Sequence, residues 1–247
     1  MQAKSIKGNT TEEINAALQQ SIVDGFQPTL AICFISVKQD RNAICKLLDD
    51  AGIAIFGTTT NGEFIDEVTE KGSAAILLLD INKNYFQLYF EEYPEKNYRA
   101  ITNAVACKAK EKFVTPAFFI AGSNMETDAE ELLFGFEDVV GKDVNVYGGM
   151  AGDDFSFAEQ FVFTNEHESS RGMVCIAFDE EKVMIKGVAT CGWRAVGTVR
   201  TVTKSEGNHV YTVDDIPVLD ITTKYGGIEN VSPENEGLLL EIAANFP

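Results

Sequence analysis

The sequence predicts an α/β (α+β) fold, with mixed and largely antiparallel sheets flanked by helices and a chain built as two pseudo-repeated halves. Three observations carry this expectation. Short, almost wholly apolar runs such as Leu30–Ile35 and Pro116–Ala121 have the composition of strands buried on both faces. Between them stand segments whose apolar residues recur three and four apart, as on a helix face. The order helix, strand, helix, strand, glycine-acid loop, antiparallel strands then runs twice.

Thr10-Thr11-Glu12-Glu13 forms a capping box with Thr10 as N-cap, and Ile14, Ala17, Leu18 and Ile22 then share one helical face. Asp24-Gly25 stops that helix. Leu30–Ile35 follows as a buried strand, and a second helix runs through Ile44, Leu47 and Leu48 to Gly52. Ile53–Gly57 is the next strand, leading into the loop "TTTNGEF" at 58–64. Gly72–Leu79 and Tyr85–Phe90 read as an antiparallel pair joined by the turn Asp80–Asn84. The second series opens with a helix through Tyr98, Ile101, Val105 and Lys112, then the strand Pro116–Ala121. Asp128 caps a helix through Leu132, Leu133, Phe136 and Val139 that Gly141 ends. Val144–Tyr147 leads into "GGMAGDD" at 148–154, and strands are expected at Gln160–Thr164, Gly172–Phe178 and Val183–Cys191. Pro28 then matches Pro116, Gly62 matches Gly152 and Leu77–Asp80 matches Cys175–Asp179, so half-units of about 1–92 and 93–192 are expected. Further on, Thr198–Lys204 and His209–Val213 form a hairpin about Gly207-Asn208. A helix starts near Pro217 and stops at Gly226-Gly227.

The totals narrow the function. A chain of 247 residues, 45% hydrophobic and 23% charged, buries a sizeable core and is ordinary for a globular protein. Its net charge of −18 repels nucleic acid and anionic bilayers at long range. Met1–Glu13 has no apolar core of the kind a signal peptide needs, and no run approaches the ~18 apolar residues of a membrane span. A soluble, intracellular, cytoplasmic protein is expected, with no nucleic-acid partner and no membrane insertion. The five cysteines, Cys33, Cys45, Cys107, Cys175 and Cys191, are scattered, odd in number and free of any CxxC pair, which argues against a zinc site and a disulfide framework alike. Two isolated histidines, His167 and His209, supply no metal-ligand spacing. Neither a metal nor a cofactor is expected.

The two glycine-acid loops are the candidate ligand site. One offers Thr60, Asn61, Gly62 and Glu63, the other Gly149, Ala151, Gly152 and Asp153. Glycine lets a ligand touch the backbone without interference from Cβ, so such loops suit recognition by main-chain N–H groups. Seen alone, each reads first as a turn whose acid satisfies its own backbone. Neither is a nucleotide fingerprint, since the GxGxxG and GxxxxGK[ST] spacings are missing. Trp193, between glycines and beside Arg194, reads either as a pocket wall or as packing. For catalysis, Ser123 lacks the GxSxG elbow and Met1-Gln2 supplies no N-terminal nucleophile. The balance is against an enzyme, and no catalytic residue is expected. A hydrolase-like enzyme on a layered α/β fold and a protein-interaction scaffold are the alternatives.

Taken in order, "TTTNGE", "YGGMAGDD", "CGWRAVG" and "RTVTKSEGNHVYTVDDIPVLD" resemble the N-terminal part of the FIST domain family, sensory modules found with bacterial signalling domains and with F-box segments. That family carries a Thr-x-Gly-Glu loop, a Gly-Gly-x-Ala-Gly-Asp loop, a Gly-Trp-x-Pro-x-Gly segment and a Val-Thr…Asn…Asp-Gly-x-Pro-Ala run. Here Ala195 stands where the family often has Pro, and Asp215-Ile216 replaces the usual Gly before Pro217. The resemblance implies a FIST N-terminal domain over 1–225, with 226–247 as the start of a C-terminal region cut short. It also implies sensing of a small-molecule ligand, with amino acids or similar metabolites as candidates, a signalling output protein or domain as partner, and oligomerisation as an option. A zwitterion would place its ammonium at Asp153 or Glu63, and its carboxylate at Arg194 and the glycine-loop amides.

Overall fold

Leu30, Ile32 and Ile35 are almost fully withdrawn from solvent, and so are Ala31 and Cys33 between them. Both faces of that strand therefore need a covering layer, and the fold supplies two. The computed structural model describes residues 1–66, 68–188, 194, 197–207 and 209–226, in two units, Met1–Gly187 and Val188–Pro247. The first unit begins β1 (Gln2–Gly8), α1 (Thr11–Ser21), β2 (Leu30–Ile35), α2 (Arg41–Asp50) and β3 (Ala54–Thr59). A small hairpin of β4 (Glu63–Ile65) and β5 (Val68–Glu70) precedes β6 (Ala74–Asp80). Then come β7 (Phe86–Glu92), α3 (Tyr98–Lys112), β8 (Pro116–Gly122), α4 (Ala129–Val140), β9 (Val146–Met150), β10 (Val162–Phe163), β11 (Glu168–Ser169) and β12 (Gly172–Asp179).

Two principal sheets result, β1-β6-β2-β3-β10-β11 and β7-β12-β8-β9. Their first four strands follow one pattern. β6 runs antiparallel to β1 and β2, while β2 and β3 are parallel. Likewise β12 runs antiparallel to β7 and β8, while β8 and β9 are parallel. Alternation along each strand then sorts the side chains into three cores. Ala31, Cys33 and Ile35 meet Ile14 and Leu18 of α1 and Ile44 and Leu48 of α2. Met173, Cys175 and Ala177 of β12 meet Val105 of α3 and Leu132 and Phe136 of α4. The opposite faces, Leu30, Ile32 and Phe56 against Val174, Ile176 and Phe178, form the core between the sheets. The layers are helix, sheet, sheet, helix: an α/β fold of mixed, mostly antiparallel sheets.

Local chemistry sets the helix ends. The Glu13 N–H donates to Thr10 Oγ1 at 3.3 Å, and Glu13 Oε2 accepts from the Asn9 N–H at 2.8 Å. Asp128 caps α4 by accepting from the N–H groups of Glu130 and Glu131. Helices α3 and α4 approach so closely that a Cβ on Gly135 would lie 1.9 Å from Thr102 Oγ1 and 2.4 Å from the Arg99 carbonyl oxygen.

The second unit holds β13 (Val202–Glu206), β14 (His209–Val213), β15 (Ile216–Pro217) and α5 (Val218–Gly226). β13 and β14 form the expected antiparallel pair. β14 turns into β15 through Asp214 and Asp215, whose φ angles of 51° and 63° are those glycine adopts most easily. That geometry suits the glycine that the resemblance implies at the position of Asp215. No helix among the described residues is long and apolar enough to cross a membrane.

Two expectations are corrected. Gly72–Leu79 and Tyr85–Phe90 are not a hairpin: both edges of β6 are already taken, by β1 and β2, so the chain crosses over and β7 pairs with β12. By strand pairing the change of sheet falls between Asp80 and Phe86. The occupant of that edge, β1, escaped the sequence reading because Ile6 is its one buried large apolar side chain. Residues 183–188 form no strand; Val183 and Ile185 pack against the inter-sheet core without a ladder.

Candidate functional site

The parallel pairs β2/β3 and β8/β9 both end at one mouth of the inter-sheet space, and the two glycine-acid loops leave the sheets there. The backbone knits them together. The Gly152 N–H donates to the Thr59 carbonyl at 2.8 Å and the Asp154 N–H to the Thr60 carbonyl at 3.0 Å. Asn61 Oδ1 accepts from the Asp153 N–H at 2.9 Å and the Phe155 N–H at 3.2 Å. Gly152 has to be glycine for this approach, because a Cβ would sit 2.6 Å from Asn61 Oδ1 and 2.7 Å from the Asn61 nitrogen.

A cleft of about 510 Å3 opens at the junction. Phe34 of β2, Phe56 of β3 and Phe119 of β8 form its aromatic wall, with the Phe56 and Phe119 ring centroids 4.9 Å apart. Thr58, Thr60 and Asn61 line it from the β3 side, and Gly148, Gly149 and Met150 from β9. β9 is the edge of its sheet. The Phe118 N–H donates to the Asn145 carbonyl and the Ala151 N–H to the Gly122 carbonyl, so odd-numbered residues of this segment face β8. Val146, Gly148 and Met150 therefore direct N–H and C=O groups off the sheet, and Gly148 and Met150 are exposed.

Of the residues singled out in the sequence, Thr60, Asn61, Gly149 and Gly152 come together at this cleft. Gly62 and Glu63 line an adjoining cavity of about 370 Å3 that shares Phe34 and Thr60 with it. Ala151 is half-buried against the inter-sheet core. The carboxylates of Glu63 and Asp153 are turned inward. Glu63 is 1% exposed; its Oε1 accepts from Thr60 Oγ1 at 2.5 Å, and its Oε2 accepts from the Ser73 N–H at 3.1 Å and Ser73 Oγ at 3.0 Å. Asp153 is 3% exposed and its Oδ2 accepts from the Ala158 N–H at 2.8 Å and Gln160 Nε2 at 3.3 Å. Arg194 is exposed and belongs to the second unit, while Trp193 lies outside the described residues.

The sequence reading missed Phe34, Phe56, Thr58, Phe119 and Met150. Asp154, next to the predicted site residue Asp153, accepts at Oδ2 from Ser36 Oγ at 2.6 Å, while its Oδ1 is buried without a partner among the described residues. The loop is strained here, with φ of 56° at Asp154, 60° at Phe155 and 53° at Phe157. Ser123 is fully buried, and its hydroxyl is spent on the backbone of Ser169 and Gly172. Among the described residues no cluster of three or more His, Cys, Asp or Glu is placed to hold a metal ion.

No curated protein matches the sequence. The profile of the FIST N domain family matches residues 29–216, from the residue before β2 to the start of β15, and takes in both glycine-acid loops. With that match over most of its length, the chain belongs to the FIST N domain family, a family of sensory domains in signal transduction.

Proposed function

We propose that the cleft between the sheets is the ligand site of an intracellular small-molecule sensor, with amino acids or similar small metabolites as the candidate ligands and a signalling protein or domain as the recipient of the output. One observation carries this reading. A Cβ on Gly149 would meet nothing within 4 Å among the described residues, and Gly149 does not have the positive φ that Gly148 has at 146°. Neither backbone conformation nor packing asks for glycine at 149, yet its missing side chain keeps the cleft open against the aromatic wall. Glu63 and Asp153 serve this site by holding the loops in place, their oxygens being taken up by loop donors. Thermal-shift screening of the chain and its Gly149→Leu variant against a metabolite set tests the proposal. A ligand present at a hundredfold excess over Kd stabilises by ~2.7 kcal/mol. A selective shift lost in the variant supports it, and a shift unaffected by the variant refutes this location.

A second reading rests on the 2.5 Å contact between Thr60 Oγ1, at the cleft, and buried Glu63, a hydroxyl and carboxylate within reach as a nucleophile and base would be. The two further hydrogen bonds that Glu63 accepts from Ser73 favour the structural role. Turnover of an activated ester that disappears in Thr60→Val would reverse that preference.

A further inference from the structure

We infer that the cleft takes an uncharged, amide-bearing ligand with an apolar or aromatic body, recognised through the edge of β9 that no described strand covers; this rests on the cleft being the ligand site and, within the metabolite class proposed above, favours capped or amidated amino acids over free zwitterions. Among the described residues, no side chain lining the cleft is ionisable. A charged group brought there loses hydration and gains no counter-charge, a cost that uncharged groups escape. Of the carboxylates nearest in sequence, Glu63 and Asp153 already accept hydrogen bonds within their own loops, and Asp154, whose Oδ1 has no partner among the described residues, does not line the cleft. A ligand ammonium would have to break those contacts to reach Glu63 or Asp153.

What the cleft does offer matches an amide. Gly148 and Met150 turn main-chain N–H and C=O groups off the sheet edge, and among the described residues no strand pairs with that edge. An amide carries both a donor and an acceptor and pairs with such an edge as a neighbouring strand would. Asn61 Oδ1 is committed to two backbone N–H groups, which orients the side-chain amide; among the described residues its Nδ2 has no acceptor. Phe34, Phe56 and Phe119 supply an apolar aromatic wall for the rest of the ligand.

The test uses four probes that share one benzyl body: N-acetyl-L-phenylalaninamide, uncharged; N-acetyl-L-phenylalanine, an anion; L-phenylalaninamide, a cation at pH 6; and L-phenylalanine, a zwitterion. Affinities are measured by titration calorimetry or NMR at pH 6 on the full chain and on Gly149→Leu. The uncharged probe is expected to bind at least tenfold more tightly than the other three, and to lose that binding in Gly149→Leu. A charged or zwitterionic probe that binds as tightly, and is likewise displaced by Gly149→Leu, overturns the inference while leaving the cleft as the site. Binding of any probe that Gly149→Leu does not disturb counts against the cleft itself. Failure of the uncharged probe to bind also overturns the inference, and the metabolite screen then decides the location alone.

Discussion

Gly148 and Gly149 are identical neighbours in one strand, and alanine at the two positions is expected to have opposite effects. At Gly148 the backbone has φ of 146°, and an added Cβ would lie 1.9 Å from the Ile120 carbonyl oxygen and 2.8 Å from its carbon. These are backbone atoms of β8 that cannot retreat without breaking the β8/β9 ladder. Strain from the dihedral and from the overlap each cost about 1–3 kcal/mol, so Gly148→Ala destabilises by roughly 3–4 kcal/mol. For a domain of this size that lowers Tm by roughly 6–15 °C. At Gly149 the new methyl enters space that no described residue fills, and relief of glycine's excess backbone entropy makes Gly149→Ala neutral or stabilising by up to about 1 kcal/mol. Thermal and urea unfolding of the two variants, followed by far-UV circular dichroism, give both numbers. Equal losses at the two positions would refute the geometry assigned to β9 and, with it, the account of Gly149 as a space left for a ligand.

Three further outcomes follow from the packing. Removing the Glu63 side chain strands Thr60 Oγ1 and both donors of Ser73, so Glu63→Ala should cost about 2–4 kcal/mol and Glu63→Gln distinctly less; similar losses in urea unfolding would contradict the hydrogen-bond scheme. Burial raises the Cys33 and Cys175 thiols well above the ordinary value of 9.0, and burial followed by the charge of Glu168 pushes Cys45 up to about 12. The folded state thus keeps protons that the unfolded chain releases. Stability should be complete below pH 9 and fall from there towards pH 12, by up to about 1.4 kcal/mol per pH unit for each thiol; a urea midpoint that stays flat from pH 8 to 10.5 would show that these thiols are not buried. In the second unit, Asp215→Gly removes a side chain from a residue at φ of 63° and should raise stability by about 1 kcal/mol, whereas a loss would mean the turn is not of this form.

What the sequence disclosed and what it hid have a common physical cause. Helix caps and faces were legible because their determinants lie within a few residues: Thr10 with Glu13, Asp128 with the N–H groups of Glu130 and Glu131. Pairing was legible only where no third strand intervened. The crossover from β6 to β7 depends on β1, seventy residues earlier and too polar to announce itself. The cleft wall was hidden by the success of the strand assignment. In a run that is apolar on both faces, alternation assigns no function to either, so Phe34 is not distinguishable from Cys33 until the helices on one side and the second sheet on the other are in place.

The two loops make the same point about residue type. An acid in a glycine turn sits among N–H and O–H donors that cost it little chain entropy to reach, and local partners therefore claim it before a ligand can: Ser73 and Thr60 take Glu63, Ala158 and Gln160 take Asp153. The carboxylates thus mark where the loops are fixed. The glycines divide by cause. Gly62 and Gly148 are accounted for by φ of 149° and 146°, and Gly57 and Gly152 by contacts with Phe163 and Asn61 that leave no room for a Cβ. Gly149 has neither explanation, although it stands in the same short motif. A glycine that the backbone and the described packing both leave unexplained, on a strand edge that no described strand covers and in a cleft with three phenylalanines, is the observation on which the proposed ligand site rests.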